Sequence, residues 1–222
     1  MDTYDRTAAY IDSLSKEKPA YLTEIERTAC TEQVPVIRPG VQELLRFVLA
    51  AHQPRHILEI GTGTGFSALF MREYSPVKTQ ITTIENYEKR IRAACKNFDT
   101  YDTDHRICLL EGDAADFLPE LAGPYDLIFL DAAKGQYLHF LDDVLRLLPS
   151  GGILLTDNVL QEGNILESRY LVERRDRTIH RRMREFLYAL THDDGLETVI
   201  LPVEDGIALT YKKSGAWSGG NA

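Results

Sequence analysis

Three oxygen-bearing side chains stand where strands can end. Asp131 closes the apolar run of residues 125–130, and Asp157 with Asn158 closes residues 151–156. Neighbouring strand ends at the carboxyl edge of a parallel sheet meet over a shared crevice. Two carboxylates and an amide carbonyl brought together there form half a shell of hard oxygen donors. Such a set suits Mg²⁺, or Mn²⁺, which takes octahedral oxygen ligands and keeps water or substrate in the open positions. Each acid alone could equally cap the helix after its strand. Lys134 lies three residues past Asp131. Alone it reads as a surface lysine; beside a metal it becomes a candidate general base.

A second set sits upstream. Residues 59–67 read Glu-Ile-Gly-Thr-Gly-Thr-Gly-Phe-Ser. Glycines after a first strand let the backbone approach a ligand closely and aim a helix N-terminus at it. The dinucleotide pattern G-x-G-x-x-G starting at Gly61 needs glycine at 66, where this chain has Phe66. Glu59 would repel a pyrophosphate, and it suits a ligand carrying an ammonium and a sulfonium. Glu85 ends the next apolar run, placed to accept both hydroxyls of a ribose. Asp113, in Glu-Gly-Asp-Ala, follows the third run and is placed to meet an adenine amino group. Any one of these could be a solvated loop carboxylate. Three at the ends of consecutive strands weaken that reading sharply.

The elements that must hold these residues follow from periodicity. Residues 1–52 show helical spacing through Tyr4–Leu14, Tyr21–Thr31 and Val41–Ala51, interrupted at Pro19, Pro35 and Pro39. After Pro54 the texture alternates. Strands are predicted at 56–60, 81–85, 105–110, 125–131 and 151–157, with helices from about Gly65, over 87–98, 113–120 and 135–148 between and after them. That alternation predicts right-handed βαβ units and a doubly wound, mostly parallel sheet with both faces covered. A helix over 174–191 leads to two last strands, 196–203 and 206–213, joined by a turn at Glu204-Asp205-Gly206. So short a turn permits only an antiparallel hairpin. The expected domain is therefore 1–213, with a helical cap over 1–52, an α/β core of seven strands over 55–213, and a flexible tail from Ser214 to Ala222 containing Trp217.

In order, EIGTGTGFSALFM, ITTIE, EGDA, YDLIFLDAAKGQY and LLTDNVL resemble the cation-dependent O-methyltransferases, which include catechol and caffeoyl-coenzyme A O-methyltransferases and bacterial relatives. The resemblance covers about residues 34–213. It implies a Rossmann-like methyltransferase fold and S-adenosylmethionine as cofactor. By it, Ile37, Glu59, Gly61, Gly63, Ser67, Glu85, Asp113, Ala114 and Asp131 surround that cofactor. Asp131, Asp157 and Asn158 hold a divalent cation, and Lys134, with Asp131, is catalytic. Two vicinal substrate oxygens would chelate the metal, and the oxyanion would attack the sulfonium methyl group. A homodimer is also implied, with the apolar N-terminal helices as a source of interface.

Net charge of −9 and pI near 5.2 argue against a general nucleic-acid coat protein. No signal peptide, membrane-spanning run or disulfide spacing among Cys30, Cys95 and Cys108 is visible, so a cytoplasmic setting is expected. Charge is uneven, however. Arg169–Arg184 holds seven arginines and a histidine against Glu173 and Asp176. This segment and YDLIFLDAAKGQY look most like the bacterial tRNA 5-hydroxyuridine methyltransferases. Their substrate base carries vicinal oxygens, as a catechol does. Arg174, Arg175 and Arg177 would then hold anticodon phosphates or stack on splayed bases. A solvated helix face is the plainer reading of such a run. Small catechol-like or acyl-coenzyme A phenols are the alternative substrates. A metal-independent methyltransferase would keep its turnover with a chelator, and a non-catalytic cofactor-binding module would not require Asp131, Lys134, Asp157 and Asn158.

Overall fold

The computed structural model describes residues 3–168 and 170–214, with the backbone alone for 3–5 and 8. Arg169 and the expected tail beyond Ser214, with Trp217, lie outside the described residues. Helices α1 (Thr3–Asp12), α2 (Ala20–Thr31) and α3 (Pro39–His52) precede β1 (His56–Ile60). Pro39 occupies the first turn of α3, where no N–H is needed, and Gln53 ends it in the left-handed region at φ 50° before Pro54. Val41, Leu45, Val48 and Leu49 recur at helical spacing and are buried.

Then follow α4 (Phe66–Tyr74), β2 (Gln80–Glu85), α5 (Glu88–Tyr101), β3 (Ile107–Glu111), α6 (Ala114–Phe117), β4 (Leu127–Leu130), α7 (Tyr137–Leu147), β5 (Ile153–Thr156), α8 (Arg177–His192), β6 (Leu196–Leu201) and β7 (Ile207–Lys212). The seven strands lie in the order β3-β2-β1-β4-β5-β7-β6. Pairing is parallel from β3 to β5 and antiparallel for β5–β7 and β7–β6. The predicted terminal hairpin is thus present, and strand order reverses between β1 and β4. In β4, Leu127 and Phe129 pack with α2–α4, while Ile128 and Leu130 pack with α7 and α8. A strand covered on both faces has no polar face to show, which is why residues 127–130 are continuously apolar.

Several boundaries differ from the sequence reading. β3 starts at 107 rather than 105, because the Asp102 carboxylate takes the N–H groups of Arg106 and Ile107 and His105 adopts φ 51°. The helix expected at 113–120 is one α-turn, α6, continued by a 3₁₀ turn over Leu118–Glu120. Residues 134–136 are also a 3₁₀ turn, so α7 starts at Tyr137. α8 starts at Arg177, which leaves Arg174 and Arg175 outside it. Among the described residues no helix is long and apolar enough to cross a membrane.

Candidate active site

The carboxyl ends of β1, β2, β3, β4 and β5 open into one cavity of about 670 Å³. Ile37, Gly61, Gly63, Ser67, Glu85, Asp113 and Ala114 line it, and so do Asp131, Lys134, Asp157 and Asn158. The reversal between β1 and β4 is what makes room, because the connections on its two sides run in opposite directions.

On the β1–β3 side, backbone dominates. Gly61 sits at φ 104°, and a Cβ there would lie 2.0 Å from the Asp131 carbonyl oxygen. The glycine therefore lets the loop lie against the end of β4. Gly63, at φ 56°, faces open space, so a bulky ligand can come close to its backbone. Glu85 is almost wholly buried. It accepts Gly63 N–H on Oε2 at 2.9 Å, and Asn86 and Tyr87 N–H on Oε1 at 3.1 and 3.0 Å. A carboxylate has about four acceptor positions, so this one shapes the glycine loop as well as facing the cavity. Asp113 lines the cavity and also caps α6, accepting Ala115 N–H at 2.9 Å. Ile37 is held over the opening by the buried Gln42, whose amide donates to the Ile37 carbonyl at 2.7 Å and to Glu26.

Glu59 sits deeper than the other expected cofactor residues. It does not line the cavity but lies wholly buried beneath the loop, on the side of the sheet that faces α4. The Thr83 hydroxyl donates to its Oε2, and Thr83 shares a hydrogen bond with the Thr62 hydroxyl at 2.5 Å. Burial pushes the Glu59 carboxyl up to about 8, which the Ser67 and Thr83 hydroxyls only partly offset. Strand alternation explains the difference: Leu58 and Ile60 point to the α7–α8 side, so Glu59 points to the other.

On the β4–β5 side, side chains dominate. Burial drives the Asp131 carboxyl up to about 6 and the Asp157 carboxyl to about 7, and the charge of Asp131 adds to the rise at Asp157. Asn158, in the left-handed region at φ 58°, donates its backbone N–H to Asp157 Oδ1 at 2.6 Å and its amide Nδ2 at 3.2 Å. That arrangement turns the amide carbonyl oxygen away from Asp157. The buried Tyr137 hydroxyl donates to the Asp157 carbonyl oxygen at 3.1 Å, fixing the end of β5. Lys134 Nζ pairs with Asp205 at 2.9 Å. Two carboxylates disfavoured by burial, the charge of one adding to the cost at the other, next to an amide oxygen, fit a divalent cation chemically. Among the described residues no three His, Cys, Asp or Glu side chains converge on one point. The candidate set has two carboxylates, and its third donor is an amide.

The arginine segment is largely engaged in the fold. Arg177 donates to the Val172 and Tyr170 carbonyls, Arg182 to Gly135, and Arg184 to Ile165. Arg175 pairs with Glu173 and Asp176, and Arg181 with Glu185. None of Arg174, Arg175 and Arg177 lines the cavity. Five charged lining residues were missed by the sequence reading: Arg38, Arg90, Glu162, Glu204 and Asp205. The last two lie in the Glu204-Asp205-Gly206 turn, noticed only as a turn. No local pattern marks any of them.

A family model described as O-methyltransferase matches residues 12–213. The O-methyltransferase ankF of Aspergillus thermomutatus is 31% identical over 79% of this chain and 78% of its own length. A catechol O-methyltransferase of Mycobacterium tuberculosis is 32% identical over 71% of this chain and 73% of its own. The crystal structure of the SAH-bound methyltransferase PaMTH1 from Podospora anserina has a TM-score of 0.84 and 30% identity, covering 96% of both chains.

Proposed function

We infer the reaction from membership and site together: the chain belongs to the O-methyltransferase family. It is an S-adenosylmethionine-dependent O-methyltransferase. We propose further that a divalent cation assists it and that its substrate is a small phenol with a vicinal second oxygen. The observation that carries this reading is that Asp131, Lys134, Asp157 and Asn158 open into the same cavity as the glycine loop and Glu85.

Asp131, Asp157 and Asn158 would hold the cation. When bound, it favours the ionised form of the substrate oxygen and orients both vicinal oxygens. Glu85 and Asp113 would orient ribose and adenine, and the Gly61–Gly63 backbone would place the sulfonium methyl toward β4. The oxygen–methyl bond forms as the sulfur–methyl bond breaks, the sulfonium keeping the electron pair as a neutral thioether. Lys134, as the neutral amine, takes the proton of the attacking hydroxyl, and Asp205 stabilises the ammonium that results. Most of the acceleration is positioning and electrostatics. The test is formation of methylated product from a 1,2-dihydroxybenzene with S-adenosylmethionine and Mg²⁺. Turnover that survives a chelator would remove the cation from the scheme.

The tRNA anticodon is the second reading, and its vicinal oxygens suit the same chemistry. What favours it is an exposed stretch holding Tyr170, Arg174 and Arg175, suited to stacking and phosphate contact. Engagement of Arg177, Arg182 and Arg184 within the fold places it behind the small phenol. A homodimer belongs to the same proposal, resting on Tyr10, Ile11 and Leu14, which are exposed on and just after α1. Sedimentation at a single-chain mass would remove it.

A further inference from the structure

The turn between β6 and β7 touches three parts of the acceptor end. Asp205, 7% exposed, receives Lys134 Nζ on Oδ2 at 2.9 Å and the Glu162 backbone N–H on Oδ1. Its carbonyl oxygen takes Leu160 N–H at 2.8 Å, and the Gly206 carbonyl takes Val159 N–H at 3.0 Å. One residue earlier, Glu204 accepts Gly40 N–H at 3.1 Å and faces Arg38. The loop held in this way is strained: Asn158, Gln161 and Glu162 have φ of 58°, 53° and 54°. Gly206 is part of the same fit, since a Cβ there would meet Leu160 Cγ at 2.2 Å.

Lys134 lines the same cavity as the candidate metal ligands, and its charge is felt by both Asp131 and Asp157. An ammonium without another partner would pair with them and compete with a cation. We infer that Asp205 is the positioning residue of the acceptor end: it draws Lys134 away from Asp131 and Asp157 and anchors the loop that carries Asn158, leaving both carboxylates open to a cation. This rests on the proposed reading of Asp131, Asp157 and Asn158 as metal ligands. Asp205 lines the cavity, and its role is to act through Lys134 and the loop.

The test is Mn²⁺ binding to the full chain, followed by loss of the free-ion electron spin resonance signal, which needs no turnover. Asp205→Asn keeps an acceptor for Glu162 N–H but abolishes the ion pair, and it should weaken Mn²⁺ binding about tenfold or more. In a Lys134→Met background the same change should cost only about threefold, because the competing ammonium is gone and just the direct pull of the Asp205 charge, which also reaches Asp157, is lost. S-adenosylmethionine affinity should stay within about twofold throughout. With a 1,2-dihydroxybenzene, Asp205→Asn should lower kcat more than it raises KM. Unchanged Mn²⁺ affinity, or equal losses in both backgrounds, would overturn the inference by making Asp205 an ordinary loop anchor. A variant that fails to fold, or loses S-adenosylmethionine in parallel, overturns it too by placing Asp205 in the general scaffold. Absence of Mn²⁺ binding by the unsubstituted chain is a different result: it sinks the metal reading, and this inference with it.

Discussion

At the β1–β3 end of the cavity the geometry comes from glycine backbone and one buried carboxylate within residues 59–114, with Ile37 over the opening. At the β4–β5 end it comes from side chains carried in from residues 131–137, 157–162 and 204–205. The first end is contiguous and locally encoded; the second is an assembly. Backbone amides at a loop cost no side-chain entropy to place, so a dipolar cofactor can be held by a short motif. Charges that must be buried together need partners from several elements, because each unpaired one carries a large desolvation cost.

The sharpest way to break that division is Asp157→Ala with Asn158→Ala. Turnover should fall by about a thousandfold or more, the scale expected when transition-state charge loses its main stabiliser. Calorimetric affinity for S-adenosylmethionine should meanwhile hold within about twofold. Chelation of the unsubstituted protein should stop turnover in the same way, with Mg²⁺ restoring it. If the folded double variant cannot bind cofactor, the two ends are one site and the comparison collapses.

Glu85→Ala should do the reverse. A lost charge-assisted acceptor corresponds to roughly ten- to hundredfold weaker cofactor binding. The effect should sit near the upper end, since Gly63 N–H loses its partner as well. Turnover at saturating cofactor should fall only about threefold. An affinity that does not move would mean that the ribose binds elsewhere.

Glu59 sharpens the comparison from beneath the loop. Its carboxyl is raised from the ordinary 4.5 to about 8. Below pH 4.5 it is neutral in folded and unfolded chain alike. Above that the unfolded chain ionises first, so this group progressively destabilises the fold until about pH 8, where the loss is complete. Glu59→Gln removes the ionisation. The Tm of the variant minus that of the unsubstituted chain should therefore grow between pH 5 and 8, in the absence of cofactor. A difference independent of pH would show that the carboxyl is already ionised in the fold.

The smallest effect is expected from Arg174→Gln with Arg175→Gln, outside the cavity altogether. Methylation of a small vicinal diol should not change measurably. If the tRNA reading holds instead, tRNA binding should weaken and its salt dependence flatten by about one unit of slope per lost phosphate contact. Arg177 is excluded from this pair because it braces the Val172 and Tyr170 carbonyls.

Period and spacing alone were enough for the seven strands, the antiparallel ending, the glycine loop and the acids at the strand ends. Each of these is written in a few residues: a run such as 127–130 has no polar face to expose, and Gly61 at φ 104° takes a backbone conformation that other residues rarely adopt. Strand alternation put Glu59 on the face opposite Leu58 and Ile60, but its depth beneath the loop, outside the cavity lining, shows only in the folded chain. The Lys134–Asp205 pair spans 71 positions and the Gly40–Glu204 bond 164. Nothing local distinguishes Asp205 from a solvated turn carboxylate. Only the stacking of the terminal hairpin beside β5 buries it against a lysine, and the fate of the arginines was settled in the same way, by which carbonyls the folded loops left facing them.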